Sequence, residues 1–415
     1  MNSYTNPELE ANIWKFYALE VLSGFTFFYN EIVVLYYQHF HLTFTEISII
    51  MVTAMAATVV FEVPTGAFAD LYGRKVSLFL SGVLGLCGLV LIAGSSTFPF
   101  FVAASFFLGL AFAFSSGARN ALLYDSLKEL NREKEYLKVK SRLEAIFLVI
   151  GIIAAYFGPY FFSYNVRFPY YMSVLAGLGL TVSVLSLYEP QMPRAKMTLT
   201  IHYRQMKEGA LFTVRHSTVV WLIAFSILGA IVWRVFGELM CAPYIIGIGF
   251  TVKQFGIIAV IATTIQTGFV FFADKIENAI GERNSFILFI CVESLVLLSI
   301  YYARSYVIAL LLGVFWSFST FNELIIENYV NHHLHKENRA TVLSVHSMGT
   351  AVSGIVFLFG FGAIIDGSSL SFAILLLTII MVIGGVALLF VGYCKQQVDN
   401  SKIEILFKDT AQEKA

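Results

Sequence analysis

Glu62-Val-Pro-Thr-Gly66-Ala-Phe-Ala-Asp70-Leu-Tyr-Gly73-Arg74-Lys75 closes one long apolar stretch and opens another. The stretches on either side, Thr45–Ala69 and Val76–Gly94, are each long enough to cross a hydrocarbon core of about 30 Å. A compact Asp/Gly/Arg/Lys cluster between them places a short polar turn at a membrane surface. Gly73 lets the chain turn tightly, Asp70 accepts hydrogen bonds at a helix end, and Arg74 offers carboxylates a rigid fork of donors.

Working outward, the rest of the chain repeats this alternation. Of 415 residues, 58% are hydrophobic and 13% charged, and the mean hydropathy is +0.76. That much apolar surface needs lipid as solvent. Ten further segments have spanning length: Ile13–Gln38, Phe98–Leu123, Leu143–Phe162, Phe168–Tyr188, Thr218–Tyr244, Gln254–Ala273, Phe286–Ala303, Val307–Val330, Thr341–Ile364 and Leu370–Cys394. The fold class expected is therefore an all-α polytopic membrane protein with twelve transmembrane helices. With both termini cytoplasmic, 22 of the 27 Lys and Arg fall on the inner side and only Arg167, Lys253 and Arg304 on the outer, the asymmetry of the positive-inside rule. The formal net charge is zero, and no nucleic-acid partner is expected. The four cysteines lie in apolar segments without metal-type spacing and read as packing residues. The polar N-terminus carries no cleavable-signal pattern, so the first span is itself the expected membrane signal.

The longest interior connection, residues 189–217, divides the chain. Residues 1–188 form a first six-helix bundle, 218–394 a second, and 395–415 a cytoplasmic tail. Glu189-Pro-Gln-Met-Pro-Arg194 is a breaker-rich linker, and Ile201, Met206, Leu211 and Phe212 interleave with Arg204, Lys207 and Arg215 as in an amphipathic helix lying on the inner leaflet. The two bundles echo each other. Ala69-Asp70 returns as Ala273-Asp274 at an offset of 204, and Asn120…Asp125 as Asn322…Glu327 at 202. Duplicated halves are how many transporters build a central site.

Gly66-x-x-x-Asp70-x-x-Gly73-Arg74-Lys75 is similar to the loop 2–3 signature of the major facilitator superfamily, whose members are solute transporters; the preceding Glu-x-Pro resembles a variant seen in some of its drug-efflux pumps. The resemblance implies two pseudo-symmetric bundles, with spans 1, 4, 7 and 10 lining a central cavity and 3, 6, 9 and 12 as outer supports. It also implies a cytoplasmic gate in which Arg74 sits between Asp70 and Asp125, with a weaker twin at Asp274, Arg283 and Glu327. The chain departs from the antiporter pattern at Ser105-Phe-Phe-Leu-Gly109, where an arginine is missing, and at Gly158-Pro159, where no Gly-Gly follows.

Charges inside spans are costly and mark cavities or partners. Span 1 holds Glu20 and Glu31, span 2 Glu62, span 4 Arg119, span 7 Arg234 and Glu238, span 9 Glu293, and span 10 Glu323 and Glu327. On a continuous helix, Glu20, Ser23, Phe27 and Glu31 share a face, with Asn30 beside them. Glu31 and Glu62 are the expected proton-coupling groups. Asn30, Arg119, Arg234, Glu238 and Glu323 are the expected cavity residues. Arg234 and Glu238, four apart, are suited to neutralise each other, leaving Glu323 to select cations. Thr263, Gln266 and Thr267 form a polar strip on span 8, and His346, Thr350 and Ser353 another on span 11.

The leading reading is a secondary transporter working by alternating access, a proton-coupled exporter of small amphipathic or cationic compounds. The alternative is a proton-coupled importer (symporter) of a small polar or anionic solute, for which the two arginines supply counter-charges. The expected partners are a small-molecule substrate, protons and the lipid bilayer. No cofactor or metal is expected, and the protein is read as a monomer of the plasma or inner membrane. An intramembrane enzyme would need a catalytic cluster, and Asn331-His-His333-Leu-His335, in a polar loop ending Lys-Glu-Asn-Arg339, has no matching acidic or cysteine cluster.

Overall fold

The computed structural model describes residues 7–190, 217–333 and 336–412. Twelve helices among them are long and apolar enough to cross a membrane. We label them α1 (Pro7–His39), α2 (Phe44–Tyr72), α3 (Arg74–Gly94), α4 (Phe98–Glu129), α5 (Tyr136–Phe162), α6 (Phe168–Leu185), α7 (Val219–Gly247), α8 (Val252–Ile280), α9 (Glu282–Tyr302), α10 (Val307–His333), α11 (Lys336–Gly367) and α12 (Leu370–Gln412). The amphipathic helix expected at residues 201–215 lies outside the described residues. One end of the bundle carries Arg74, Lys75 and Arg132 and is called here the basic end.

The halves repeat in register, but at 208 residues rather than 202–204. Helix caps fix this register. Thr43 opens α2 and Thr251 opens α8, each with a reciprocal capping box, to Glu46 and Gln254. Gly73 (φ 114°) ends α2 and Gly281 (φ 80°) ends α8, in a backbone region that disfavours side chains. Each glycine donates its N–H to the carbonyl four residues back, Ala69 or Glu277. The counterpart of Asp70 is therefore Asn278, not Asp274, and that of Gly73 is Gly281.

Two of the spans are irregular. In α1 the α-helix stops at Phe25 and resumes at Val33. Between them Thr26, Asn30 and Ile32 donate to the carbonyls of Ser23, Phe27 and Tyr29, bonds to the third residue back. The Thr26 hydroxyl donates to the Ser23 carbonyl at 2.6 Å, a local bond of the kind that competes with helix. Gly158 of α5 brings its backbone directly against the Phe28 carbonyl. The expected shared face of Glu20, Ser23, Phe27 and Glu31 is thus broken, because the helix does not run through Thr26–Ile32. In α7, Trp233–Met240 forms a π-helix. Irregular backbone at membrane depth is tolerated where it lines a cavity, and π-turns are frequent at functional sites.

The halves meet at the end away from the basic end. There one apolar core runs through both, from Ile32, Ile50 and Phe101 to Phe236, Phe255 and Phe361. In the second half this core continues to Leu222 and Phe286 near the basic end, beside a small cluster of Val219, Ile223 and Val342. The basic end of the first half has its own cluster of Leu9, Phe16, Leu122 and Leu143 with their neighbours. Asp366 at the end of α11 accepts hydrogen bonds from Phe44 N (2.9 Å), Thr45 N (2.8 Å) and the Thr45 hydroxyl (2.6 Å) at the start of α2. Lys253 of α8 lies 4.4 Å from the ring centre of Tyr164 and 5.4 Å from that of Tyr160.

Candidate functional site

At the basic end, Arg74 opens α3, and its guanidinium reaches Asp125 and the Ala121 carbonyl (2.8 Å) on α4. A fork of donors meeting a carboxylate and a carbonyl on one helix is bonding that lysine, a single ammonium on a flexible stem, does not reproduce. Asp70 stands one turn before, half-buried, and Gly66 is exposed with open space where a Cβ would be. Glu189, just past α6, takes the backbone N–H of both Arg74 (2.9 Å) and Lys75 (2.6 Å), satisfying the first donors of α3. Sequence reasoning missed Glu189. Its only signal was a carboxylate followed by proline at a span end. In the second half Asn328 donates to Glu277 at 2.8 Å. Glu327, the third member of the expected twin gate, has a side chain outside the described residues.

Both intramembrane arginines are paired. Arg119 bonds to Glu20 of α1. Arg234 bonds to Glu238 at 3.1 Å across the π-helical turn, and its guanidinium lies 5.8 Å from the Trp233 ring centre. The Arg234 stem packs where a Cβ on Gly354 would sit, beside Met55.

A cavity of about 740 Å³ opens between the halves. Its walls come from α1, α2, α4 and α5 and from α7, α8 and α10, with Ile92 from α3. Spans 1, 4, 7 and 10 line it as expected, and Ile92 is the one contribution from the spans expected outside. α2, α5 and α8 add whole rows, because their small or polar faces (Ala54, Thr58; Gly151, Ala154, Ala155; Thr263, Gln266) let the halves approach. The irregular segments bring Asn30 and Glu31 from α1 and Gly237 and Glu238 from α7 into the wall. In the 208-residue register Glu238 answers Asn30, one position from Glu31, so the two irregular segments still bring one carboxylate from each half to the same cavity. The rest is largely apolar, with aromatic rings (Phe27, Tyr37, Phe112, Phe147, Trp233, Trp316) among aliphatic and small residues and a few neutral polar groups. Gln266 donates to Thr320 at 2.9 Å, and Thr58 to the Gly109 carbonyl at 3.1 Å.

Four expected site residues stand outside this wall. Arg119 is drawn toward Glu20 by ion pairing, and Arg234 toward α11 and α2 by the packing space at Gly354. Glu62 continues the row Met51, Met55, Thr58 one turn nearer the basic end and is exposed. Glu323 is exposed one turn past Thr320. Glu293 is 1% exposed on α9 and accepts from Ser319 of α10 at 3.0 Å, and His346 meets Ser226 of α7.

Comparison with known proteins fits this architecture. Residues 16–329 match the model of the Major Facilitator Superfamily. The "Uncharacterized MFS-type transporter YxaM" of Bacillus subtilis (strain 168) is 22% identical over 360 residues, covering 82% of this chain and 87% of that protein. A crystal structure of the nucleoside transporter NupG superposes with a TM-score of 0.75 at 16% identity, over 91% of this chain and 98% of NupG. That of a D-xylose–proton symporter gives 0.68 at 14%, over 91% and 97%.

Proposed function

This chain belongs to the major facilitator superfamily, and from that premise we propose that it is a transporter that exports small amphipathic or cationic compounds in exchange for protons. The two six-helix units, residues 1–188 and 218–394, rock about the central cavity, with the basic end cytoplasmic and the chain acting as a monomer of the plasma or inner membrane. One observation carries the reading. The cavity wall contains two carboxylates, Glu31 and Glu238, and neither intramembrane arginine. Arg119 is bonded to Glu20 and Arg234 to Glu238 itself, so the wall's net negative charge is that of Glu31. A cavity with that charge and several exposed rings suits a flat cation through electrostatic and cation–π contact. Glu31 and Glu62, on helices that move with the first unit, exchange the protons. Asp70, Arg74 and Asp125 form the cytoplasmic gate.

A proton-coupled importer of a small polar solute is the second reading. It is favoured by the neutral hydrogen-bonding groups Asn30, Thr58, Thr263 and Gln266 in the same wall. The discriminating experiment challenges cells with cationic toxicants. Export predicts that Glu31→Gln and Glu238→Gln each lose at least tenfold in protection, while Arg234→Gln keeps it. Unchanged protection in both glutamate variants, with lost uptake of a polar or anionic solute, establishes the importer instead.

A further inference from the structure

The first turn of α2 has four backbone donors without helical partners. Its capping box satisfies two of them: Thr43 N–H donates to Glu46 (2.9 Å) and Glu46 N–H to the Thr43 hydroxyl (3.2 Å). The remaining N–H groups of that turn's start, on Phe44 and Thr45, are taken by Asp366 from the other half. The cap of α2 is thus completed only when the halves are together at this end. A negative charge at a helix N-terminus adds an attraction to the helix dipole, and bonds to an ionised acceptor exceed neutral ones in strength.

Pseudo-symmetry sharpens the point. α8 opens with the same capping box, Thr251 with Gln254, and leaves the same two donors, on Val252 and Lys253. The facing segment of the first half, residues 156–170, contains no Asp or Glu. What crosses there is the Lys253 ammonium over the rings of Tyr160 and Tyr164. The two clasps are related by the repeat yet differ in chemistry.

We propose that Asp366 is the principal latch of the end opposite Arg74: its carboxylate, lent by the second half to the first turn of α2, holds that end shut, and its departure opens it. The Lys253 clasp guides the closure without holding it. Both clasps are solvent-exposed, but a cation–π contact with one hydrogen bond to Tyr164 is weaker than the three charge-assisted bonds that Asp366 accepts. Gly362 permits the close approach, since a Cβ there would meet the Phe44 carbonyl at 2.7 Å. This inference rests on alternating access, but its test needs no substrate.

Spin labels at His41 and Ser369, both exposed on loops of opposite halves, report the separation of this end by electron–electron resonance. The parent protein is expected to give mainly a short distance. Asp366→Ala is expected to raise the long-distance population at least fivefold, Thr45→Val less, and Lys253→Gln by under twofold. Should Asp366→Ala fail to fold, Asp366→Asn, which keeps the shape and one acceptor, is expected to shift the population in the same direction. An Asp366 variant with the parent distribution overturns the proposal, as does Lys253→Gln opening this end as far as Asp366→Ala. Loss of transport with unchanged distances counts against the latch and leaves the export reading standing.

Discussion

Arg74 ties three segments together at one point: its side chain holds α4 through Asp125 and Ala121, and its backbone holds Glu189 at the end of α6. Lysine at this position keeps the charge and the backbone bond but loses the fork. Removing one bond to a charged group costs about 1.5–3 kcal/mol, enough to shift a balanced gate without unfolding twelve packed helices. Arg74→Lys is expected to lower transport at least tenfold with near-normal abundance, and Asp125→Asn to do the same. Flux in proteoliposomes against protein level by immunoblot checks both, and full activity in the pair removes the gate role. These residues were legible because a charged turn between two apolar runs has few structural uses. Glu189 was not, because its role depends on where α6 ends relative to α3, a distance in space between positions 115 apart in the chain.

At the scale of elements, helix contacts in lipid rest on close packing rather than on the hydrophobic effect, and glycines show where it is tightest. A Cβ on Gly109 of α4 would meet the backbone of Ala54 on α2 at less than 3 Å, whereas Gly360 of α11 faces open space. Gly109→Ala is expected to destabilise by about 1–3 kcal/mol through overpacking. Gly360→Ala should be neutral or gain up to about 1 kcal/mol of helix propensity. Melting temperatures in detergent should fall for the first and hold or rise for the second; equal shifts would mean that the α2–α4 contact is not tight. The departure at Ser105…Gly109 from the antiporter pattern acquires a structural sense here. Gly109 serves α2, and Ser105 donates to the Ile50 carbonyl.

For the whole molecule, a shared apolar core and the Asp366 bonds join the halves at the end away from Arg74, and under the proposed alternating access the cavity and its carboxylates face a different solvent in each state. The proposed proton coupling requires that carboxylates change protonation as the halves move. Glu31→Gln and Glu62→Gln, which mimic the protonated form, are expected to abolish accumulation driven by a proton gradient while sparing downhill exchange. Counterflow and gradient-driven flux in the same proteoliposomes separate the two. Variants that keep gradient-driven flux with an unchanged pH profile place coupling elsewhere.

The sequence alone determined the twelve spans and the repeat, because a bilayer demands runs of apolar residues of one length and confines charge to their ends. It also exposed the intramembrane charges as a set, since each is costly enough to stand out. Only the tertiary structure decided how that set divides. Arg119 is bonded to Glu20 and Arg234 to Glu238 within their halves, and Glu293 meets Ser319 between α9 and α10. The break in α1 and the π-helical turn of α7, which helical spacing does not reveal, bring Glu31 and the paired Glu238 into the cavity wall. The repeat register likewise came from Gly73 and Gly281, whose backbone angles end two helices alike, while the residue identities around them had drifted. Pairing and helix irregularity depend on neighbours hundreds of residues away, and those are brought together only by packing.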